Sequence, residues 1–218
     1  MSLQRKISVA LFMHMMKYYV VGAMALILVA AGGYYFLKGD SAVPSTGEEN
    51  QNASISVATS TYATTSYSII YPSNYTADSS YANTTVSPTK PIAGVKFTIP
   101  LTVATGTNLS ADSYISVEQL PRAKNCTADI YLAANVTATS EMINSVSYSF
   151  ASSTEGAAGN RYEELVFARA GSDPCTAVRY VIHSTEFSNY PAGTVREFDR
   201  AALILEFDKI RDSLLLSR

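Results

Sequence analysis

The sequence predicts an α+β fold: an N-terminal transmembrane helix, then an antiparallel β-sheet packed against a long C-terminal helix in two layers. Three observations lead there. Residues 18–37 carry no charge. Between residues 67 and 184, short apolar runs alternate with period two and stop at Pro, Gly and Ser. From Val195 to Arg218 no Gly or Pro interrupts a helical pattern.

The uncharged run, Tyr18 to Leu37, has 20 residues. As a helix it spans about 30 Å, the thickness of a bilayer's hydrocarbon core. Tyr18 and Tyr19 at one end and Tyr34 and Tyr35 at the other match an interfacial aromatic belt. Arg5, Lys6 and Lys17 precede it, and no acid occurs before Asp40. Positive-inside bias then keeps residues 1–17 cytoplasmic and exports the rest, so the bilayer is the first partner. A signal peptide cleaved after Ala31 is the competing reading, but the apolar run exceeds a usual signal core, which favours an uncleaved anchor. The run contains no acid, which argues against a pilin-like subunit, and no cysteine follows it to take a lipid.

Residues 38–65 read as a flexible linker rich in Ser, Thr, Ala and Asn, with Ser54–Val57 adding at most a short strand. Residues 66–218 read as the exported domain. From Asp40 onward 18 acids face 12 basic residues, a net charge of −6. That leaves no basic footprint for nucleic acid.

The strands follow in order. Tyr67–Tyr71 is closed by Pro72, and Val95–Ile99 by Pro100. Tyr114–Gln119 places Ile115 and Val117 on one face. Ile130–Leu132 and Val146–Phe150 are shorter candidates. Arg161–Arg169 and Thr176–Ser184 alternate on either side of Gly171-Ser172-Asp173-Pro174, which predicts an antiparallel hairpin. Its register brings Glu164 near Arg179 and sends Glu163 to the opposite face. The final helix opens on the capping box Thr194–Glu197 and carries the stripe Leu203, Phe207, Ile210 and Leu214, with Phe198, Ala202 and Leu205 on a second face.

Cys126 and Cys175 are the only cysteines. In an exported domain the pair reads as a disulfide, with two buried free thiols as the other reading. With His14 and His183 the only histidines, a Cys/His metal site is not expected, nor is any cofactor. There is no Gly-x-Ser-x-Gly elbow and no phosphate loop. His183 alternates with the sheet and reads as a sheet residue rather than a base. Six asparagines fit Asn-x-Ser/Thr: 52, 74, 83, 108, 125 and 135. They read as polar loops in a bacterium and as glycan acceptors elsewhere.

Fifteen tyrosines stand against no tryptophan. Most suit strands; the loop tyrosines Tyr75, Tyr81 and Tyr190 are the candidate surface contacts for a protein or glycan partner.

The early Tyr71-Pro72 and the late Phe207-Asp208-Lys209-Ile210 resemble PsbP-like secreted domains. Ala158–Glu164, Cys175–Tyr180, Asn189-Tyr190-Pro191 and Arg196–Asp199 look like uncharacterised membrane-anchored proteins of candidate-phylum bacteria. The resemblance covers residues 66–218. It implies an envelope location and a sheet-plus-helix domain, with no activity to transfer. The function expected is a single-pass, anchored, extracytoplasmic binding or structural module; a cell-envelope hydrolase is the alternative.

Overall fold

A computed structural model describes residues 57–217, which belong to the unit Ile55–Arg218. The expected cytoplasmic segment 1–17, the expected transmembrane helix 18–37 and the expected linker up to residue 56 lie outside the described residues. Among the described residues, no helix is long and apolar enough to cross a membrane.

Among the described residues eleven strands dominate. They are β1 (Thr59–Ala63), β2 (Tyr67–Pro72), β3 (Thr76–Asp78), β4 (Ala82–Asn83), β5 (Ile92–Thr98), β6 (Tyr114–Leu120), β7 (Thr139–Ile143), β8 (Val146–Ala157), β9 (Asn160–Arg169), β10 (Cys175–Thr185) and β11 (Leu215–Leu216). The helices are α1 (Leu101–Ala104) and α2 (Arg200–Asp212). The α+β expectation with a long closing helix is therefore corrected: the unit is mainly β, and its longest described helix has 13 residues.

The main sheet runs β3-β5-β6-β10-β9-β8-β7, with β4 also on β5, and every pairing is antiparallel. Hairpins build its long side. Gly159, at φ +81°, makes the tight turn from β8 to β9, a conformation that costs glycine no Cβ clash. β10 then crosses to β6, a partner more than 50 residues earlier in the chain. A second sheet, β1-β2-β11, joins an early hairpin to the late strand.

Alternation decides the layers. Val95, Phe97, Ile115, Val117, Val178 and Tyr180 point from the main sheet into a core closed by Tyr67 and Ile69 of β2 and by Leu203, Phe207 and Ile210 of α2. On the opposite face, Val166, Ala168 and Ala177 pack under the chain from Ala123 to Ala138. Residues Ile130–Leu132, expected as a strand, lie at a 3-10 turn, Ala128–Tyr131. The Tyr131 hydroxyl donates to the Cys175 carbonyl at 2.7 Å, and this tertiary bond suits a turn over the sheet better than another strand.

The helix starts later than the capping box indicates, and hydrogen bonds explain the shift. The Arg196 amide donates to the Gly106 carbonyl at 3.0 Å, and the Phe198 amide to Asn108 Oδ1 at 3.0 Å. Residues 196–198 are held extended beside the Gly106–Asn108 loop, and Thr194 Oγ1 turns back to the Pro191 carbonyl. Asp199 is the N-cap instead, accepting from the Ala202 amide at 2.9 Å. Of the second predicted helical face, Ala202 and Leu205 stay in solvent, while Phe198 precedes the helix and packs half-buried against the core.

The linker boundary is corrected too. β1 lies wholly within residues 38–65, where Thr and Ser obscure the pattern, and pairs with β2 over five positions.

Candidate functional site

Under the second face of the sheet lies a closed polar centre. Arg179, from β10, is 1% exposed and Glu118, from the adjacent β6, is fully buried. Arg179 Nε donates to Glu118 Oε1 at 2.8 Å and Nη2 to Oε2 at 3.1 Å, while Nη1 reaches Glu164 and Nη2 also meets the Tyr131 carbonyl. Glu118 accepts three further bonds, from Tyr81, Ser116 and Asn83. Burial alone would lower the Arg179 pKa, but the facing carboxylates of Glu118 and Glu164 hold the guanidinium charged, above its ordinary value. Gly94 makes room: a Cβ there would strike the Val117 carbonyl, while its amide donates to the Tyr81 carbonyl at 3.1 Å and brings that segment over Glu118. With both carboxylate oxygens of Glu118 occupied, this centre positions strands and offers no free acid or base.

His183 is where hydrolytic chemistry would have to begin. Its Nδ1 lies 2.8 Å from Asp112 Oδ1 and its Nε2 3.1 Å from Asn160 Oδ1. Tyr162 stacks on the ring at 4.3 Å between centroids. Burial works to raise the Asp112 pKa, yet hydrogen bonds from Ser110 and His183 carry it below the usual carboxylate value. The nearby hydroxyl of Ser113 bonds the main chain of His183 at 3.0 and 3.2 Å, not the ring. A base needs a nucleophile within about 3.2 Å of its nitrogen, and an amide oxygen stands in that place. Nothing among the described residues points to an enzyme activity.

The tyrosines separate. Tyr75 is corrected as a surface contact, and Tyr81 is half-buried with its hydroxyl turned inward. Tyr75 is 7% exposed and belongs to the core, where burial raises its pKa well above the ordinary tyrosine value. The Tyr81 hydroxyl donates to Glu118 Oε1 at 3.0 Å, and burial and then the Glu118 charge raise its pKa too. Each sits in a loop or at a strand margin by sequence, but Pro72 and Gly94 fold those margins inward. Tyr190 stays half-buried after the 3-10 turn Phe187–Asn189. Of the Asn-x-Ser/Thr positions, Asn83 and Asn108 are buried and bonded, whereas Asn74, Asn125 and Asn135 are exposed.

Cys126 and Cys175 form a disulfide, with Cα atoms 5.1 Å apart. Cys175 also pairs with Leu120 at the end of β6.

Two clefts meet at Phe198, a residue whose spacing predicts a helix face. One, of about 300 Å³, lies between the β9–β10 end and residues 186–200, with Arg161, Glu163, Glu197, Arg200 and Phe187 on its walls. Glu163 binds Arg200 there; its hydrogen bonds to Arg200 hold its pKa below the usual carboxylate value against the opposing effect of burial. A second cleft, of about 290 Å³, shares Phe198 and Glu197 and is floored by Leu109, Leu203 and Tyr75. One ring thus divides a polar chamber from an apolar one. The amide bonds to Gly106 and Asn108 create both chambers, and no local sequence signal announces them.

No protein-family model matches the chain, and no curated protein matches it. Among solved structures, it is similar to a crystal structure from Bacteroides thetaiotaomicron VPI-5482, at 11% identity and a TM-score of 0.38, over 70% of this chain. The chain spans 45% of that protein's length. A likeness of this degree assigns neither fold nor function.

Proposed function

We propose that the protein is a single-pass, membrane-anchored binding module whose folded unit lies outside the cytoplasm and takes its ligand along Phe198. The observation that carries the binding reading is the divided cleft: opposed charges at Arg161, Arg200, Glu163 and Glu197 on one side of the ring, an apolar floor on the other. Such a pair of chambers suits a protein segment or glycan presenting a polar group beside an apolar face. Location is supported by the Cys126–Cys175 bond, which belongs to oxidising compartments. The apolar run 18–37 with its basic N-terminal flank supports the anchor. The resemblance to anchored proteins of candidate-phylum bacteria agrees with an envelope site.

Two measurements test this. Protease added to intact cells degrades the folded unit and spares a short N-terminal fragment; mature protein beginning at Gly32 replaces the anchor by a cleaved signal. In a thermal-shift screen of envelope glycans and peptides, a true ligand raises the melting temperature of the wild type and not of Phe198→Ala. A screen in which no compound distinguishes the two proteins leaves a purely structural role.

A further inference from the structure

Eleven Lys and Arg side chains lie within residues 57–217. Five take part in ion pairs: Lys96, Arg179, Arg200, Lys209 and Arg211. Arg169 lies over the Tyr148 ring, and Arg161 and Arg196, exposed and without an ion pair among the described residues, stand apart in the two clefts at Phe198. Lys90, Arg122 and Lys124 are exposed, have no ion pair among the described residues, and line one open groove of about 900 Å³ in which Asp129 is the single acid. The part of the chain from Asp40 onward is otherwise strongly acidic, so this groove reverses the local charge.

The groove is also built. Leu120 and Cys175 are ladder partners, and Cys175 is disulfide-bonded to Cys126. One residue therefore clamps both ends of the loop Pro121–Asn125, which carries Arg122 and Lys124. A loop held this way presents its cations without a large ordering cost at binding.

We propose that this groove docks the folded unit on the anionic headgroups of the bilayer in which its own N-terminal segment is anchored. The proposal rests on the anchor reading above. Charge complementarity gives the ligand chemistry, and chain length gives the source. Residues 38–56 separate the apolar run from the described unit; fully extended, 19 residues span at most ~65 Å. An adjoining depression shares Pro91, Leu120 and Pro121 with the groove and includes Tyr62 and Thr64 at the turn end of the first hairpin, one strand length from where the described chain begins. Each cation near an anionic surface shifts the docked-to-free ratio about fivefold, so three give roughly a hundredfold. That gain is too small to recruit a free protein from dilute solution. For a domain already tethered at millimolar effective concentration it decides where the domain rests.

The test uses the full chain reconstituted into vesicles, with Ala123→Trp as the sole tryptophan, since the natural sequence has none. Leu205→Trp on the exposed side of α2 is the control reporter. In vesicles containing phosphatidylglycerol and a brominated phosphatidylcholine, the Ala123→Trp emission is quenched and the Leu205→Trp emission is not. The quenching disappears in pure phosphatidylcholine, and at about 0.5 M salt, where screening shortens the field to a few Å. Adding Lys90→Gln, Arg122→Gln and Lys124→Gln one at a time weakens it stepwise, each by about fivefold in the docked-to-free ratio. An unchanged melting temperature in the glutamine variants shows that lost charge, not lost folding, is responsible. A chain that floats with vesicles at high salt but shows no lipid-dependent quenching overturns the docking and leaves the anchor. A chain that floats only at low salt with anionic lipid removes the anchor and leaves the groove as the lipid contact. Emission that responds to soluble dextran sulfate and not to anionic vesicles overturns the proposal in favour of a soluble polyanion.

Discussion

Arg179 Nε and Glu118 Oε1 meet at 2.8 Å with neither side chain reaching solvent, and Glu164 approaches the same guanidinium from the neighbouring strand. Three adjacent strands, β6, β10 and β9, are thereby tied through one cation. Two carboxylates on one guanidinium leave an excess negative charge, and Lys96 lies 5.6 and 5.5 Å from the Tyr81 and Tyr114 rings that cover the centre.

Removing the cation strands two carboxylates. Arg179→Met is expected to cost about 3–5 kcal/mol, the usual penalty for breaking a buried pair from one side. Arg179→Lys does not restore it, because an ammonium cannot serve two carboxylates and a carbonyl in one plane. Urea unfolding of the three proteins measures both statements.

The start of α2 gives a sharper contrast. Asp199→Ala is expected to lose about 1 kcal/mol with the cap. Glu197→Ala, at the position the capping box would need, is expected to stay within about 0.5 kcal/mol, as exposed substitutions do. Equal losses in thermal melts would restore the earlier helix start.

The disulfide closes a sequence separation of 49 residues. Cys175→Ala is expected to lower stability by about 2–4 kcal/mol, with chain entropy in the unfolded state as the main contribution. Alkylation before and after reduction, followed by mass spectrometry, should find no free thiol in the native protein and two in the reduced one.

Acid should destabilise the fold in a defined window. Glu163 and Asp112 both have folded-state pKa values below their reference values of 4.5 and 3.8. A depressed carboxyl contributes stability above its unfolded pKa and loses it as pH falls through the folded pKa. Melting temperature should therefore hold level above about pH 5 and fall below it. Glu163→Gln should melt lower near neutral pH and converge on the wild type in acid. A constant gap across the range would remove Glu163 from the acid transition.

Much of the sheet is legible locally. The alternation from Arg161 to Ser184 gives the β9–β10 hairpin, the opposite faces of Glu163 and Glu164, and the approach of Glu164 to Arg179. Tyr67–Tyr71, Val95–Ile99 and Tyr114–Gln119 are strands for the same reason. Glu118 is different: it looks like the solvent face of an alternating strand, and only a partner 61 residues away makes it the sheet's buried acid. Gly94, with Ser116 and Glu118 facing the same way, is the one hint that something covers that face. The strands β3, β4 and β11 have two or three residues, too few for a period to register. The Phe198 clefts depend on amides at 196 and 198 finding acceptors some ninety residues earlier, which no window of sequence contains.

The small sheet bears on how the protein is made. Ser213 Oγ accepts from the Ile70 amide at 2.9 Å, and Leu215 and Leu216 pair with Ser68 and Tyr67. Synthesis proceeds from the N-terminus, so the first hairpin is released long before the strand that covers its open edge. Closing that edge joins positions 143 apart in sequence, a late and slow kind of contact. Until it forms, β2 offers unpaired amides and carbonyls to any passing strand. A chain cut before Leu215 would keep that edge open.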